Sequence, residues 1–237
     1  MTIHGYPTTL SATTAMMALH MAAVAKGASS KFIIADLPFL SYRKGLMDSV
    51  HELMSAGAHA VKLEGVRGHA EIIRHIVDSG VPVMGHLGLT PQSVHQLGGM
   101  KVQARTEAAL EILSSQAREL EVAGCFAIVL ECVPSEAARR VTELLNIPTI
   151  GIGAGANVSG QVLVYSIKGS GNDCKRRDVE RRITGLDHGR ERRLTVLLGE
   201  QRAMIERSCS MQYLCSLDWF GESRDPCSLT RLVANWE

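Results

Sequence analysis

Aromatic residues make up only 4% of this 237-residue chain, and no apolar run reaches the length needed to cross a bilayer. A membrane-spanning helix is therefore not expected. The six cysteines include no CxxC pair, so the sequence offers no zinc site and reads as carrying free thiols. A formal charge of +1 gives no reason to expect nucleic acid or another strongly charged partner. The opening stretch, MTIHGYPTTLSATTAMMALHMAAVAKGA, lacks a basic segment before its interrupted apolar residues. It reads as a loop and an internal helix rather than a secretion signal, and a cytoplasmic protein is the simplest expectation.

What is present is a repeated pattern. Four short apolar runs each stop on a polar or ionisable residue: FIIAD at Asp36, AVKLE at Glu64, PVMGH at His86 and FAIVLE at Glu131. Runs of this length between helical segments read as strands buried on both faces. Helices are expected near Ser11–Gly27, Arg43–Ala56, His69–Ser79, Glu107–Ala123 and Ser135–Leu145, and further strands at Pro148–Ile152 and Gln161–Tyr165. Gly27, Gly57, Gly80 and Gly124 stand where left-handed glycines end helices. The alternation predicts an α/β fold with a parallel sheet and right-handed crossovers, closed or partly closed as a barrel. Strand ends in such folds share one side, which is where their chemistry lies.

Past Tyr165 the character changes. Residues 1–165 read as a barrel catalytic domain, and residues 166–237 as an Arg- and Cys-rich tail, partly helical or disordered. The tail holds the pairs Arg176–Arg177, Arg181–Arg182 and Arg192–Arg193, with four of the six cysteines and both tryptophans. Acidic residues nearly balance the arginines, which favours a solvated segment over an RNA-binding arm. Leu194–Arg207 could form one helix.

Asp36 and Glu64, brought to one barrel mouth, would repel unless a cation lay between them, and hard oxygen donors suit Mg²⁺. Lys62 lies two positions before Glu64, hence on the same strand face, and could meet a substrate carboxylate. The plainer alternatives are a turn cap at Asp36 and a structural ion pair between Lys62 and Glu64. Glu131 ends the most apolar run, where desolvation would raise a carboxyl pKa and suit a general base. Its alternative is a helix-starting residue before Pro134, with Ser135 as cap. His86 could face substrate or simply orient the glycine turn after it. Gly151–Ala156 loosely matches a dinucleotide fingerprint, but no helix follows, so it reads as a loop giving close backbone approach to a ligand. His69, His75 and His95 lack metal-like spacing and read as surface or cap residues.

In order, ADLPF, AVKLEG, GHLGLTPQS, KVQAR, LECVP and IPTIGIGAG closely resemble the ketopantoate hydroxymethyltransferase family, from about Met1 to Val164. The resemblance implies an incomplete (β/α)₈ TIM-type barrel of the phosphoenolpyruvate/pyruvate superfamily and a homo-oligomer, a decamer in the family. It implies the first committed step of pantothenate biosynthesis: transfer of a hydroxymethyl group from 5,10-methylenetetrahydrofolate to 3-methyl-2-oxobutanoate, giving 2-dehydropantoate. It would make Asp36 and Glu64 Mg²⁺ ligands, Asp36 and Lys62 substrate-binding residues, and Glu131 the catalytic proton acceptor. The small-molecule partners would be the 2-oxo acid and the folate.

The sequence also departs from the family pattern. Family members carry a further amino-terminal stretch with two barrel strands and an Asp–Ser pair that supplies a third metal ligand. Their closing region is not recognisable beyond Tyr165, and Ala104 stands where Gly is usual. A sheet lacking two strands is expected to leave two open edges and to be poorly stable and nearly inactive. The competing readings are a non-catalytic remnant that binds a full-length partner and another Mg²⁺-dependent 2-oxo acid lyase or mutase of the same superfamily.

Overall fold

The computed structural model describes residues 4–162, 194–196 and 215–218. Six strands, β1 (Phe32–Asp36), β2 (Ala60–Glu64), β3 (Val83–Gly88), β4 (Ala127–Glu131), β5 (Thr149–Ile152) and β6 (Gly160–Val162), run parallel in sequence order. Helices α1 (Thr14–Gly27), α2 (Leu46–Ser55), α3 (Ala70–Asp78), the short α4 (Val94–Leu97), α5 (Glu107–Val122) and α6 (Ser135–Leu144) precede or separate them. The predicted α/β barrel core is therefore present, with element boundaries within a few residues of those expected.

Local chemistry explains where the helices begin and end. Thr13 and Thr106 accept from the backbone N–H groups of Met16 and Ala109, capping α1 and α5. Pro134 opens α6, so Ser135 is the first helical residue and not the cap. Gly57, Gly80 and Gly124 follow α2, α3 and α5 at positive φ, as expected, whereas Gly27 closes α1 from inside the helix.

The two edges of the six-stranded sheet do not stay open. Two short tail strands, β7 (Leu194–Val196) and β8 (Cys215–Asp218), complete a closed ring. β7 pairs parallel with β6, while β8 runs antiparallel to both β7 and β1. Unpaired strand edges present rows of free N–H and C=O groups, and tail segments satisfy them. Leu194–Val196, expected to begin a helix, is extended, in keeping with the β-branched Thr195 and Val196. The other tail expectations lie outside the described residues.

Alternation along the strands divides the core in two. Ile33, Ala35, Val61, Leu63, Val83, Leu87, Ile128 and Leu130 pack outward against the helices. Ile34, Ala60, Met84, Phe126, Ala127, Val129, Ile150 and Val162 form a separate cluster inside the ring. Each fully buried Val, Leu, Ile, Phe or Met side chain among them contributes about 1.5–3 kcal/mol. The inner set matters for function, because every strand-end residue that continues it must also point inward.

Candidate active site at the barrel mouth

Period-two alternation carries Ile34 to Asp36, Ala60 to Lys62 and Glu64, Met84 to His86, and Val129 to Glu131. These five side chains therefore extend the inner column toward the carboxyl end of the ring. Strand register pairs them further. Asp36 is level with Lys62, Glu64 with His86, and Glu131 with Gly88.

The contacts follow the register. Lys62 Nζ lies 2.7 Å from Asp36 Oδ1, both side chains being largely buried. The ion pair expected of Lys62 thus forms with Asp36 across strands, not with Glu64 along one. His86 is 1% exposed. Its Nε2 lies 3.1 Å from Glu131 Oε2 and its Nδ1 3.7 Å from Glu64 Oε1. Neither ring nitrogen has a hydrogen bond of good geometry among the described residues. His86, left open between two roles by the sequence, faces the pocket and bridges two carboxylates.

Burial pushes the Glu64 carboxyl above its usual range, and the charge of Asp36 adds to the rise; His86 and Lys62 and a backbone N–H from Gln92 oppose it. The deepest carboxyl is therefore Glu64, whose side chain is 9% exposed against 18% for Glu131. The burial expected at the end of the FAIVL run has fallen mainly on its neighbour two strands away.

The segment between β3 and α5 arches over these residues. Leu89 N–H donates to the Glu131 carbonyl at 2.8 Å. Gln92 donates its backbone N–H to Glu64 Oε2 at 2.9 Å and its side-chain amide to the Leu37 carbonyl at 2.8 Å. The segment then returns to β4, where Gln103 N–H donates to the Cys132 carbonyl at 2.9 Å. One end is thus fastened over β1 and β2 and the other beside the residue after Glu131. Gly88 permits this crossing: at φ +89 a Cβ there would sit 2.2 Å from the Glu131 carbonyl oxygen. Cys132 and Ala104 both hold left-handed backbone at φ 52 and 53, strained for residues with a Cβ.

Two further contributors have no signature in the strand runs. Gln92 acts through its backbone amide, which any residue but proline could supply. Tyr42 is buried close enough to Glu64 for that charge to raise its phenol pKa, after burial itself. The glycine loop after β5 has its close approaches within the chain. A Cβ on Gly155 would strike Ser135 and one on Gly151 would strike Val158, so these two glycines allow close packing within the chain. His75 and His95 are exposed, while His69 is half-buried against Tyr42, ring centroids 4.8 Å apart.

The donor set suits a hard cation with few protein ligands. Asp36 and Glu64 are two mutually repelling carboxylates, one of them strongly desolvated, and a divalent ion between them would offset both costs. No group of three His, Cys, Asp or Glu residues with metal-binding geometry occurs among the described residues. Remaining positions would fall to water or substrate oxygens, as is usual for Mg²⁺.

Comparison with known proteins settles the family. The model for ketopantoate hydroxymethyltransferase matches residues 1–178. The chain belongs to this family. The match runs beyond Val164, where the resemblance read from the motifs stopped. Among curated ketopantoate hydroxymethyltransferases (3-methyl-2-oxobutanoate hydroxymethyltransferases), that of Bdellovibrio bacteriovorus is 60% identical over 167 residues, 69% of this chain and 64% of its own. That of Coxiella burnetii is 50% identical over 192 residues, 79% of this chain and 72% of its own. The Francisella tularensis enzyme is 55% identical over 69% of this chain and 63% of its own. The chain thus spans somewhat under two thirds of the first and third of these. A Burkholderia cenocepacia structure described as a phosphonomutase superposes with a TM-score of 0.48 at 15% identity, over 59% of this chain and 62% of that one, too distant to bear on function. In a member of this family, the inward column of Asp36, Lys62, Glu64, His86 and Glu131 is the natural place to look for chemistry.

Proposed function

We propose that the chain transfers a hydroxymethyl group from 5,10-methylenetetrahydrofolate to 3-methyl-2-oxobutanoate, giving 2-dehydropantoate in pantothenate biosynthesis. The observation that carries this reading is the single inward column joining a cation, three carboxylates and a buried imidazole, in a chain of this family. Lys62 meets the carboxylate of the oxo acid, and its pairing with Asp36 fixes where the ammonium stands. Glu131 takes the proton from C3, with His86 Nε2 3.1 Å from its carboxylate. Water adds at the methylene carbon and both bonds from that carbon to folate nitrogens break, the two water protons going to those nitrogens. The electron pair left at C3 attacks the carbon, and the proton on Glu131 passes to the resulting alkoxide oxygen, which becomes the hydroxyl. Asp36 and Glu64 would hold Mg²⁺, which supplies Lewis acidity toward the substrate's oxo and carboxylate oxygens.

The same reading includes a homo-oligomer in the cytoplasm. Exposed Leu19, Ile112 and Val122 on the outer helices suit subunit contacts. No helix among the described residues is long and apolar enough to cross a membrane.

The test is proton exchange. The full chain, with Mg²⁺ and 3-methyl-2-oxobutanoate in D₂O, exchanges the C3 proton, and adding the folate yields 2-dehydropantoate. A chain that does neither lacks the proposed activity.

A further inference from the structure

The arch between β3 and α5 ends in a stretch the mechanism does not use. Met100 and Val102 are 51% and 48% exposed, on a segment fastened to the mouth at both ends. Phe39 and Leu40, at 38% and 48%, are exposed on the loop after β1 to which Gln92 ties this arch. Apolar side chains on both loops thus remain in water at the open end of the ring. Lys101 and Arg105 alternate with them on the arch, both exposed.

The charges set this region apart from α5 and α6, where every arginine has a carboxylate partner. Arg118 pairs with Glu121, Arg139 with Glu136 and Glu143, and Arg140 with Glu107. The last pair takes up the acid nearest Arg105 in sequence. Neither Lys101 nor Arg105 has a carboxylate partner among the described residues. An apolar surface beside unpaired cations complements a flat aromatic molecule with carboxylates at one end. The oxo acid is too small to need it, and Lys62 already meets its carboxylate deep in the mouth.

We propose that residues 100–105 form the docking subsite for the folate carrier of the one-carbon unit. Met100 and Val102 lie against its ring system, and Lys101 and Arg105 meet its glutamate carboxylates. The proposal rests on the transferase reading above and adds where the second substrate sits. Gln103 fastens this stretch to Cys132, next to Glu131, so the bound methylene carbon is delivered to the side of the pocket where C3 loses its proton.

Titration calorimetry on the full chain tests it, with tetrahydrofolate and, as a second probe, a tetrahydropterin lacking glutamate. The Lys101→Glu, Arg105→Glu double variant weakens tetrahydrofolate binding by about tenfold or more and leaves the pterin unaffected. The Met100→Ser, Val102→Ser double variant weakens both. Each substitution is on an exposed residue, and circular dichroism confirms that the fold is kept. Unchanged tetrahydrofolate affinity in both double variants, or no binding by the unmodified chain, overturns the subsite. C3 exchange by the unmodified chain needs no folate and is read separately: its absence overturns the transferase reading, and the titration still decides the subsite.

Discussion

His86 holds Nε2 3.1 Å from Glu131 Oε2 and Nδ1 3.7 Å from Glu64 Oε1 while almost wholly buried. An imidazole wedged between two carboxylates limits by its bulk where each can stand. Replacing it with a shorter side chain frees Glu131 to swing toward the open rim. His86→Asn is expected to slow C3 exchange about 10- to 100-fold, the scale on which small misplacements act. Glu131→Gln, which removes the base itself, is expected to slow it about 10²–10⁴-fold. Nuclear magnetic resonance in D₂O reads both, and wild-type exchange in the glutamine variant would remove Glu131 from the base role.

Lys62 and Asp36 make a largely buried pair at 2.7 Å. Lys62→Met leaves the Asp36 carboxylate without that counter-charge in a desolvated position, and loss of one partner of a buried pair costs about 3–5 kcal/mol. Urea unfolding without Mg²⁺ measures it. A loss below about 1 kcal/mol would mean that water screens the pair as it does on a surface.

Ala104 holds φ 53, and its methyl group is only partly packed against the core. Left-handed backbone costs an L residue about 1–2 kcal/mol, and glycine's greater freedom in the unfolded chain returns about 0.5–1. Ala104→Gly is therefore expected to stabilise by roughly 0.5–1 kcal/mol. A urea midpoint that falls instead would show that the methyl contact outweighs the strain.

Cys125 is buried, and burial pushes its thiol from 9.0 to about 12. Above pH 9 the unfolded chain releases this proton and the folded chain keeps it. The contribution is intact below pH 9 and is lost as pH rises toward 12, at up to about 1.4 kcal/mol per unit. Denaturation across pH 8–11 should show a steeper decline for the native chain than for Cys125→Ala. Parallel curves would mean that the thiol reaches water.

The strand ends were legible because parallel barrels demand apolar runs, and a polar residue that closes such a run has one place to go. Asp36, Glu64 and Glu131 were found that way, and Lys62 by lying two positions before Glu64 on the same strand face. Ala104 was marked by its departure from glycine, and its positive φ shows what that glycine serves. His86 stayed ambiguous because its role depends on Glu64 and Glu131, which register brings to it from strands on either side. Gln92 was hidden because a backbone amide leaves no trace in residue type. The pairing of β8 with β1 was equally hidden, since short tail runs reveal no partner so remote in sequence.

That remoteness has a kinetic consequence. Phe32 and Leu217 are register partners. On a ribosome β1 emerges long before β8, the segment that covers its outer edge. The ring therefore cannot close until β8 has been made, and the parallel strands from β1 to β6 must wait with the outer edge of β1 bare. Chaperone demand and the yield of soluble chain at high expression rates will depend on how long that wait lasts.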